Sequence, residues 1–431
     1  MFSRTSLVLI RNRHLSHVRL LSEPSTSSQK ARARPPFVDT VLKEHSMAVE
    51  EMENEIVKNE IRMRKELESS ENVLLDCLLP HLQSKVIANS RFVPVGSTVT
   101  GLASSHSDLD VVVFPLERSA RDEFMKIIHP NEGLRFELMS VLRSIIVHAI
   151  HEWGDDRFKM ENCQIFPSLR VPLLICQFTN GTSLDISIPD ASFQAVRNTH
   201  LMRQYANTDE RVGRLLLWLK EWSRALEIRE SKSGLLSSYH LLLLVINFLQ
   251  NEQSLNTPVL PILYRTHNNL VNKDIPIDII VSRLDEPVQD IDWKSCNTMS
   301  TAELVIRFIG YYTELNVLTR SIHIEKGADI RRSNSSMTEA AAIFDPYSNL
   351  TACRSVNALR AFRDAVLFTH KRMRNGFMFN PFSPSSDLSF NHFLQSSSHY
   401  GWRAAANKRR IRMKTMDSHG KGTSLHPLMD I

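Results

Sequence analysis

The stretch VPVGSTVTGLASSHSDLDVVVF, residues 93–114, combines a Gly-Ser pair with two aspartates that are one residue apart. The pair is Gly96 and Ser97, and the aspartates are Asp108 and Asp110, which stand at the head of the apolar run Val-Val-Val-Phe. Burying carboxylates is costly unless a positive group meets them. The stretch therefore predicts a bound cation at the end of a core strand.

The two aspartates are predicted to present their carboxylates side by side. Residues i and i+2 of a strand point to the same face, so Asp108 and Asp110 share one face while Leu109 and Val111 face the core. Two such anions repel each other unless a divalent cation lies between them, and Mg²⁺ prefers carboxylate oxygens together with substrate phosphates. Asp185, in the apolar run SLDIS, supplies a third carboxylate. Three such aspartates predict a two-metal site for in-line phosphoryl transfer.

The Gly-Ser pair fits the same chemistry. Gly96 allows a tight turn, and Ser97 stands where a helix would begin, so backbone N–H groups and the hydroxyl can bind phosphate oxygens. A Gly-Ser pair alone is also a common turn. Followed after ten residues by Asp-Leu-Asp-Val between two strand-like runs, it favours the phosphate site.

The chain reads as a mixed α/β segment followed by a larger helical one. Strand-like runs flank a short turn-helix within the opening stretch, and helices are expected over 118–152. SLRVPLLICQF and TSLDISIPD, joined at Asn180-Gly181, predict a hairpin. A long charged helix is predicted over 40–70, with a helical continuation that ends at Pro80. From about residue 196 the pattern is helical.

Positive charge is concentrated at the N-terminus. The formal net charge is +5, and residues 1–34 contain seven Arg or Lys and one Glu, a net of +6, so the remainder carries −1. This segment is rich in Arg and Ser and nearly free of acids, which is typical of a mitochondrial presequence. The alternative is a disordered basic tail on a cytoplasmic protein.

Cysteine usage and hydropathy exclude other classes of protein. The five cysteines form no CxxC pair, which argues against a zinc site or a disulfide framework and fits a reducing compartment. The most apolar run, LLSSYHLLLLVINFLQ over 235–250, is short and contains Ser, Tyr, His and Asn. It predicts a buried helix, and no membrane association is expected.

With these motifs the sequence resembles the polymerase-β-like nucleotidyltransferase superfamily. Ordered matches from Arg91 to Arg354 narrow the resemblance to template-independent poly(A) RNA polymerases and terminal uridylyltransferases with a PAP-associated domain. They include RVPLL, RNTHLMRQYANTDERV, LKEWSRALEI, GLLSSYHLLLLVINFLQ, PVLPIL, SIHIEKG and FDPYSN.

The resemblance implies an α+β fold, in which a mixed β-sheet nucleotidyltransferase domain precedes a mostly helical, PAP-associated central domain, with the active site in the cleft between them. The expected segments are a targeting or disordered segment (1–36), an N-terminal helix packing on the helical domain (37–75), the catalytic domain (76–195), the helical domain (196–375) and a flexible basic tail (376–431).

The resemblance also assigns roles to individual residues. Asp108, Asp110 and Asp185 would hold two Mg²⁺ (or Mn²⁺) ions while the 3′-hydroxyl of an RNA attacks the α-phosphate of an NTP. The implied nucleotide-binding residues are Asn198 for the ribose, Lys220 and Arg224 for the triphosphate, Ser238 for the phosphates and Tyr239 for stacking on the base. Alternatives to these roles stay open. Asn198 could instead cap the N-terminus of a helix, and Lys220 and Arg224 could belong to a solvated basic stripe with Arg214 and Arg229. Tyr239 could instead be a core residue.

Base choice depends on the loop DPYSNLTACRSV. Related uridylyltransferases carry a His shortly after the equivalent motif, whereas this loop has none and Thr351 falls at about that position. Asp345, Pro346, Asn349 and Arg354 are expected to shape the loop. ATP is therefore favoured over UTP, with a uridylyltransferase, a mixed-nucleotide tailing enzyme and an inactive RNA-binding scaffold as alternatives. The RNA 3′ end is the expected substrate, with a specificity protein as a candidate partner, and the sequence gives no indication of oligomeric state.

Overall fold

The computed structural model describes most of the chain from residue 36 to residue 418. The described ranges are 36–69, 73–86, 89–103, 107–167, 171–190, 192–251, 255–331, 343–348, 351–353, 355–382, 388–396 and 401–418. Residues 1–35, which include nearly all of the predicted targeting segment, lie outside them.

Helices surround one mixed sheet and continue beyond it towards the C-terminus. They are α1 (Pro36–Glu44), α2 (Ser46–Ser69), α3 (Leu79–Val86), α4 (Ser97–Thr100), α5 (Arg118–Glu123), α6 (Glu132–Trp153), α7 (Gln194–Thr208), α8 (Glu210–Ala225), α9 (Ser238–Leu249), α10 (Leu263–Thr266), α11 (Asn268–Val271), α12 (Ile277–Asp285), α13 (Thr301–Glu314), α14 (Val356–Arg374), α15 (Leu388–Ser396) and α16 (Gly401–Ser418).

The larger sheet has the strand order β1-β2-β5-β4-β3. Its strands are β1 (Ser90–Val95), β2 (Leu109–Pro115), β3 (Met160–Phe166), β4 (Leu173–Phe178) and β5 (Ser183–Ser187). Strands β2 and β5 are parallel, and the other neighbours are antiparallel. The hairpin predicted around Asn180-Gly181 is confirmed as β4–β5, and the predicted strands on either side of α4 are confirmed as β1 and β2.

Both faces of this sheet are covered. Val111 and Ile186 are buried on one face, in a cluster that contains Ile146 of α6. Val112 is buried on the other face with Val196 of α7. Because successive strand residues alternate between faces, Asp110 lies on the same face as Val112. The candidate carboxylate therefore points to the side of the sheet on which α7 packs.

A second core holds the helical segment together. It contains apolar side chains from α1, α2, α7, α8, α9, α13 and α14, including the fully buried Trp218, Trp222, Phe308 and Phe362. The nearly all-apolar helix α9 runs through this core, as the sequence predicts for the 235–250 run. None of the described helices is both long enough and apolar enough to cross a membrane.

A smaller sheet follows α13 and was not expected from the sequence. It has the order β7-β6-β8-β9, with β6 (Arg320–His323), β7 (Ala328–Arg331), β8 (Ile343–Phe344) and β9 (Thr351–Cys353). These strands have only two to four residues each, which is too short for an alternating pattern to be recognised. Strand β3 was also missed, because MENCQIF lies at the edge of the larger sheet and shows no clear alternation.

The N-terminal helices differ from the prediction at two points. The charged helix predicted over 40–70 is two helices, α1 and α2, separated at His45. The helix expected to end at Pro80 continues instead to Val86, because Pro80 lies in the first turn of α3, where its missing N–H costs no hydrogen bond. A wider turn at Leu74–Leu78 precedes it.

The predicted flexible tail is wrong for helices α15 and α16. Phe390 and Leu394 of α15 and Trp402 and Ala406 of α16 are buried in the core of the helical segment. The indole Nε1 of Trp402 donates a 3.0 Å hydrogen bond to Asp364 Oδ2 on α14. The prediction of disorder failed because the apolar residues are few and are separated by Ser- and Asn-rich stretches.

Candidate nucleotide and metal site

The carboxylates meet because β2 and β5 are parallel neighbours. Asp110 lies directly opposite Asp185 in their register, so the two side chains emerge next to each other at the same level of the sheet. Asp108 directly precedes β2 and is exposed. The register brings Asp110 and Asp185 together, and the assignment of all three aspartates to one metal site stays a prediction.

Electrostatics couple the three carboxylates. Burial, and then the charges of Asp185 and Asp108, raise the pKa of Asp110 to about 7. Asp185 is buried, and its Oδ1 accepts a 2.8 Å hydrogen bond from Ser183 Oγ. Ionising the whole set is unfavourable unless a positive charge is bound to it.

The donor set suits a hard divalent cation. Carboxylate oxygens are the ligands that Mg²⁺ and Mn²⁺ accept. Among the described residues, no three His, Cys, Asp or Glu side chains are close enough in their present positions to hold a metal ion. Asp110 and Asp185 nevertheless lie opposite each other in the register of β2 and β5, and Asp108 stands two residues before Asp110. The chemistry of these donors therefore fits a divalent cation.

Gly96 lies against the carboxylate of Asp110. Its φ of +75° is in the region that favours glycine, and a Cβ atom at this position would be 2.7 Å from Asp110 Oδ2. Its N–H donates a 2.9 Å hydrogen bond to Thr199 Oγ1 on α7. Ser97 follows as the first residue of α4, as the sequence predicts. The Gly-Ser turn is thereby held between the metal ligands and α7.

Asn198 and Tyr239 converge on a buried aspartate. Asn198 Nδ2 donates a 2.6 Å hydrogen bond to Asp345 Oδ2, and the hydroxyl of Tyr239 donates to the same oxygen at 2.8 Å. Asp345 Oδ1 accepts from the backbone N–H of Tyr347 at 2.9 Å. The amide oxygen Oδ1 of Asn198 is buried and has no hydrogen-bond partner among the described residues. Asn198 is an interior residue of α7, so the N-cap alternative is excluded.

The start of α9 is tied to the loop that would read the base. Ser237 Oγ accepts from the N–H of His240, and His240 Nδ1 accepts from the N–H of Ser237, which forms a capping box. Nε2 of the neutral imidazole is then the protonated nitrogen and donates to the carbonyl of Ala352 at 2.9 Å. Tyr239, between these groups, packs against the helical core. Its orientation is therefore set by α9 and by the bond of its hydroxyl to Asp345, the residue after β8.

The basic residues divide into two environments. Lys220 is buried, and its Nζ donates a 2.6 Å hydrogen bond to the carbonyl of Leu102. Burial, and then the charge of Arg229, lower the pKa of Lys220 to about 8. The side chain of Arg224 is 66% exposed and is paired with Glu221. Although Lys220 and Arg224 are four residues apart on α8, the structure brings Arg229 rather than Arg224 into hydrogen-bond contact with Ser238.

The structure describes the predicted base-recognition loop in part. The backbone of Thr351 lies in β9 and pairs with Phe344. The Thr351 side chain and all of Asn349 and Arg354 lie outside the described residues. The role assigned to Thr351 therefore stays a prediction.

The sequence reasoning missed two contacts. It did not identify Thr199, which stands beside Asn198 in RNTH and bonds to Gly96. It placed Arg229 only in a solvated basic stripe. No local pattern marks either contact, because each depends on the packing of one segment against another.

Comparison with known proteins agrees with this geometry. Residues 50–207, from α2 to the end of α7, match a family model described as the central palm domain of mitochondrial-like poly(A) RNA polymerase. These residues are similar to the palm domain that the model describes. The matched residues include Gly96, Ser97, Asn198 and the three aspartates, and the sheet and the helices around them have the polymerase-β-like nucleotidyltransferase fold.

Relatives extend the similarity beyond the palm domain. Poly(A) RNA polymerase GLD2 of Rattus norvegicus is 25% identical over 295 residues, which is 66% of this chain and 56% of that protein. The chain thus spans about half the length of this relative. The structure of a GLD-2/RNP-8 complex matches with a TM-score of 0.52 and 21% identity, over 83% of this chain and 98% of the other. The crystal structure of mtPAP in its apo form matches with a TM-score of 0.51 and 21% identity, over 70% of this chain and 66% of the other.

Proposed function

We propose that this protein is an RNA 3′-terminal nucleotidyltransferase that adds adenylates from ATP without a template and releases pyrophosphate. The observation that carries the proposal is the pairing of Asp110 with Asp185 across β2 and β5, with Gly96 packed against Asp110. The similarity to named poly(A) RNA polymerases supports the same activity.

In the proposed reaction, the O3′ of the RNA forms a bond to the α-phosphorus and the bond to the β-phosphate oxygen breaks. Two divalent ions, Mg²⁺ or Mn²⁺, held by Asp108, Asp110 and Asp185, would activate the attacking hydroxyl and stabilise the leaving oxygen. Asp185 is held in place by Ser183. It acts as base towards the hydroxyl or as a ligand of the ion beside it.

The helical segment positions the nucleotide in this proposal. Oδ1 of Asn198 accepts a hydrogen bond from the ribose 2′-hydroxyl, while Asp345 holds the side-chain amide of Asn198 in the required orientation. The ring of Tyr239 stacks on the base, and Lys220 and Ser238 meet the phosphates. The loop after Asp345 has no His, which supports ATP over UTP.

Substrate and partners follow from the same proposal. The RNA 3′ end enters beside the carboxylates, and selection of RNA targets depends on a separate RNA-binding protein. The match to a GLD-2/RNP-8 complex supports the idea that such chains work with a partner protein.

The proposal is tested by incubating the purified protein with a labelled oligo-RNA, Mg²⁺ and each NTP separately. We expect an elongation ladder with ATP and little or none with UTP, GTP or CTP. Asp110→Ala should abolish the ladder, whereas Asp122→Ala, which removes an exposed carboxylate of α5, should not. Elongation by the Asp110 variant would refute the metal-site interpretation, and a ladder with UTP alone would replace the adenylate assignment with uridylate.

We also propose that the Arg- and Ser-rich N-terminal segment directs import into mitochondria. Its seven basic residues against one Glu support this assignment. A tagged full-length protein should co-fractionate with mitochondria, and a variant that lacks residues 2–34 should not. A full-length protein that stays in the cytosol would disprove it.

A further inference from the structure

Arg229 lies at the phosphate end of the candidate nucleotide site. It belongs to the segment that connects α8 to α9, and its guanidinium donates a 3.2 Å hydrogen bond to Ser238 Oγ at the first residue of α9. An isolated β-bridge between Arg229 and Leu236 holds the backbone of the segment in this folded-back path. The position of the guanidinium is therefore set by the backbone as well as by the side chain.

Arg229 forms no direct ion pair within the described part of the protein, although the charge of Glu221 acts favourably on its guanidinium. No carboxylate there lies within salt-bridge distance of its guanidinium, whereas Arg224 is paired with Glu221 on the surface. The charge of Arg229 also acts on the buried ammonium of Lys220. The buried ammonium of Lys220 and the partly buried guanidinium of Arg229, which bonds to Ser238, repel each other, so a multivalent anion bound beside them would be stabilised.

The C-terminal helix α16 holds this segment on both sides of Arg229. Arg403 pairs with Glu227, two residues before Arg229, and Arg410 pairs with Glu230, the residue after it. Both ion pairs connect segments about 180 residues apart in the chain. Their effect is to fix the backbone that carries the unpaired cation.

Tight packing at the end of the segment supports the same arrangement. Arg409 of α16 leaves no space for a side chain at Gly234. The carbonyl of Gly234 accepts a 2.7 Å hydrogen bond from Ser355 Oγ, at the start of α14. The connection between α8 and α9 is therefore enclosed by α14 and α16.

We propose that Arg229 binds the triphosphate of the nucleotide together with Lys220 and Ser238, and that α16 positions it through Glu227 and Glu230. The inference rests on the proposed function for the identity of the ligand. A planar guanidinium can bind two phosphate oxygens through two parallel N–H donors, whereas a lysine ammonium acts as a point charge. The chain thus supplies its second triphosphate cation from the connection after α8 instead of from Arg224.

The experiment measures affinities for ATP and AMP in Mg²⁺ by displacement of a fluorescent ATP analogue. Arg229→Gln should weaken ATP binding by about tenfold or more, because a hydrogen bond between charged groups is lost, and should leave AMP binding unchanged. Arg229→Lys should recover part of the loss. The matched control is Arg360→Gln, an exposed arginine of α14, which should bind both nucleotides as the unaltered protein does.

The positioning role of α16 has its own pair of variants. Arg410→Gln removes the contact with Glu230 and should weaken ATP binding by a few fold, again without an effect on AMP. Lys408→Gln makes the same change of charge at an exposed position of the same helix and should have no effect. An equal loss for ATP and AMP in either arginine variant would indicate general unfolding and would overturn the proposal.

These measurements distinguish failure of the Arg229 inference from failure of the proposed function. If Arg229→Gln binds ATP as tightly as the unaltered protein while that protein extends RNA, the inference fails and the function stands. If Arg224→Gln lowers the ratio of ATP to AMP affinity and Arg229→Gln does not, the second cation is Arg224, and the inference also fails. Absence of RNA extension with an intact dependence of ATP binding on Arg229 would refute the function and leave the phosphate subsite in place.

Discussion

The carboxylate of Asp110 lies directly against Gly96, where a side chain at residue 96 would collide with it. A Cβ atom there would lie 2.7 Å from Asp110 Oδ2, at a backbone φ of +75°. The Gly-Ser turn and the carboxylate of Asp110 are therefore one structural unit. A change in either residue should displace the other.

The first prediction concerns the substitution Gly96→Ala. The added methyl group should displace the Asp110 carboxylate from its position and lower the rate of RNA extension by about a hundredfold or more. The positive φ should cost about 1 kcal/mol of unfolding free energy in addition. Extension rate and urea denaturation measure the two effects.

Gly101→Ala is the matched control for this change. Gly101 has a φ of +72° at the other end of α4, but a Cβ atom there would have nothing within 4 Å. The control should lose similar stability and keep most of its activity. Equal loss of activity in both variants would attribute the effect to backbone strain and not to contact with Asp110.

The second prediction concerns pH and the stability of metal-free protein. The pKa of Asp110 is raised to about 7 in the folded protein, against about 4 in an unfolded chain. Between these values the folded protein holds a proton that the unfolded chain has released. The free energy of unfolding should therefore fall by roughly 2 to 4 kcal/mol as pH rises from about 4 to about 7.

Denaturation in the presence of a chelator tests this pH dependence. Asp110→Asn should remove most of the decrease and should be more stable than the unaltered protein at pH 7. Asp122→Asn, at an exposed position, serves as the control and should keep the decrease. Added Mg²⁺ should restore stability at pH 7 only where Asp110 is present. A flat pH profile for the unaltered protein would contradict the prediction.

The third prediction concerns discrimination between ribose and deoxyribose. Asn198→Ala removes the buried Oδ1 acceptor and should reduce the preference for ATP over dATP by about tenfold, the value of one buried hydrogen bond. The measurement is kcat/KM for each nucleotide with the same RNA. Tyr239→Phe removes the second hydrogen bond to Asp345 Oδ2 and should leave the ratio of kcat/KM for ATP to that for dATP unchanged. An unchanged ratio in Asn198→Ala would assign the discrimination to another residue.

The fourth prediction concerns the C-terminal helix. Trp402 is 2% exposed and bonds to the fully buried Asp364. Trp402→Ala should therefore lower the free energy of unfolding by about 3 to 5 kcal/mol. Lys408→Ala, on the exposed side of α16, should change it by less than about 0.5 kcal/mol. Thermal or urea denaturation distinguishes the two, and equal stability of both variants would mean that α16 is not part of the folded core.

Several features of the fold were predictable because their signals are local. The hairpin β4–β5 follows from β-rich runs around Asn-Gly, and the apolar character of α9 follows from its run of Leu, Val and Ile. The edge strand β3 lacks a clear alternation of apolar and polar residues, and the strands of the small sheet, with two to four residues each, are too short to show one. Helix α16 was misread because only a few of its residues are apolar.

The sequence by itself determined the residue types of the candidate site: two aspartates in strands and one just before a strand, a Gly-Ser turn, and an Asn, a Lys and a Tyr on helices in a recognisable order. Only the tertiary structure decided the contacts between them. Asp110 faces Asp185 because β2 and β5 pair in parallel, and Arg229 rather than Arg224 bonds to Ser238 because the connection after α8 folds back. Residue type and local periodicity can be read directly from the sequence, whereas strand register and the packing of distant segments depend on the free energy of the whole fold.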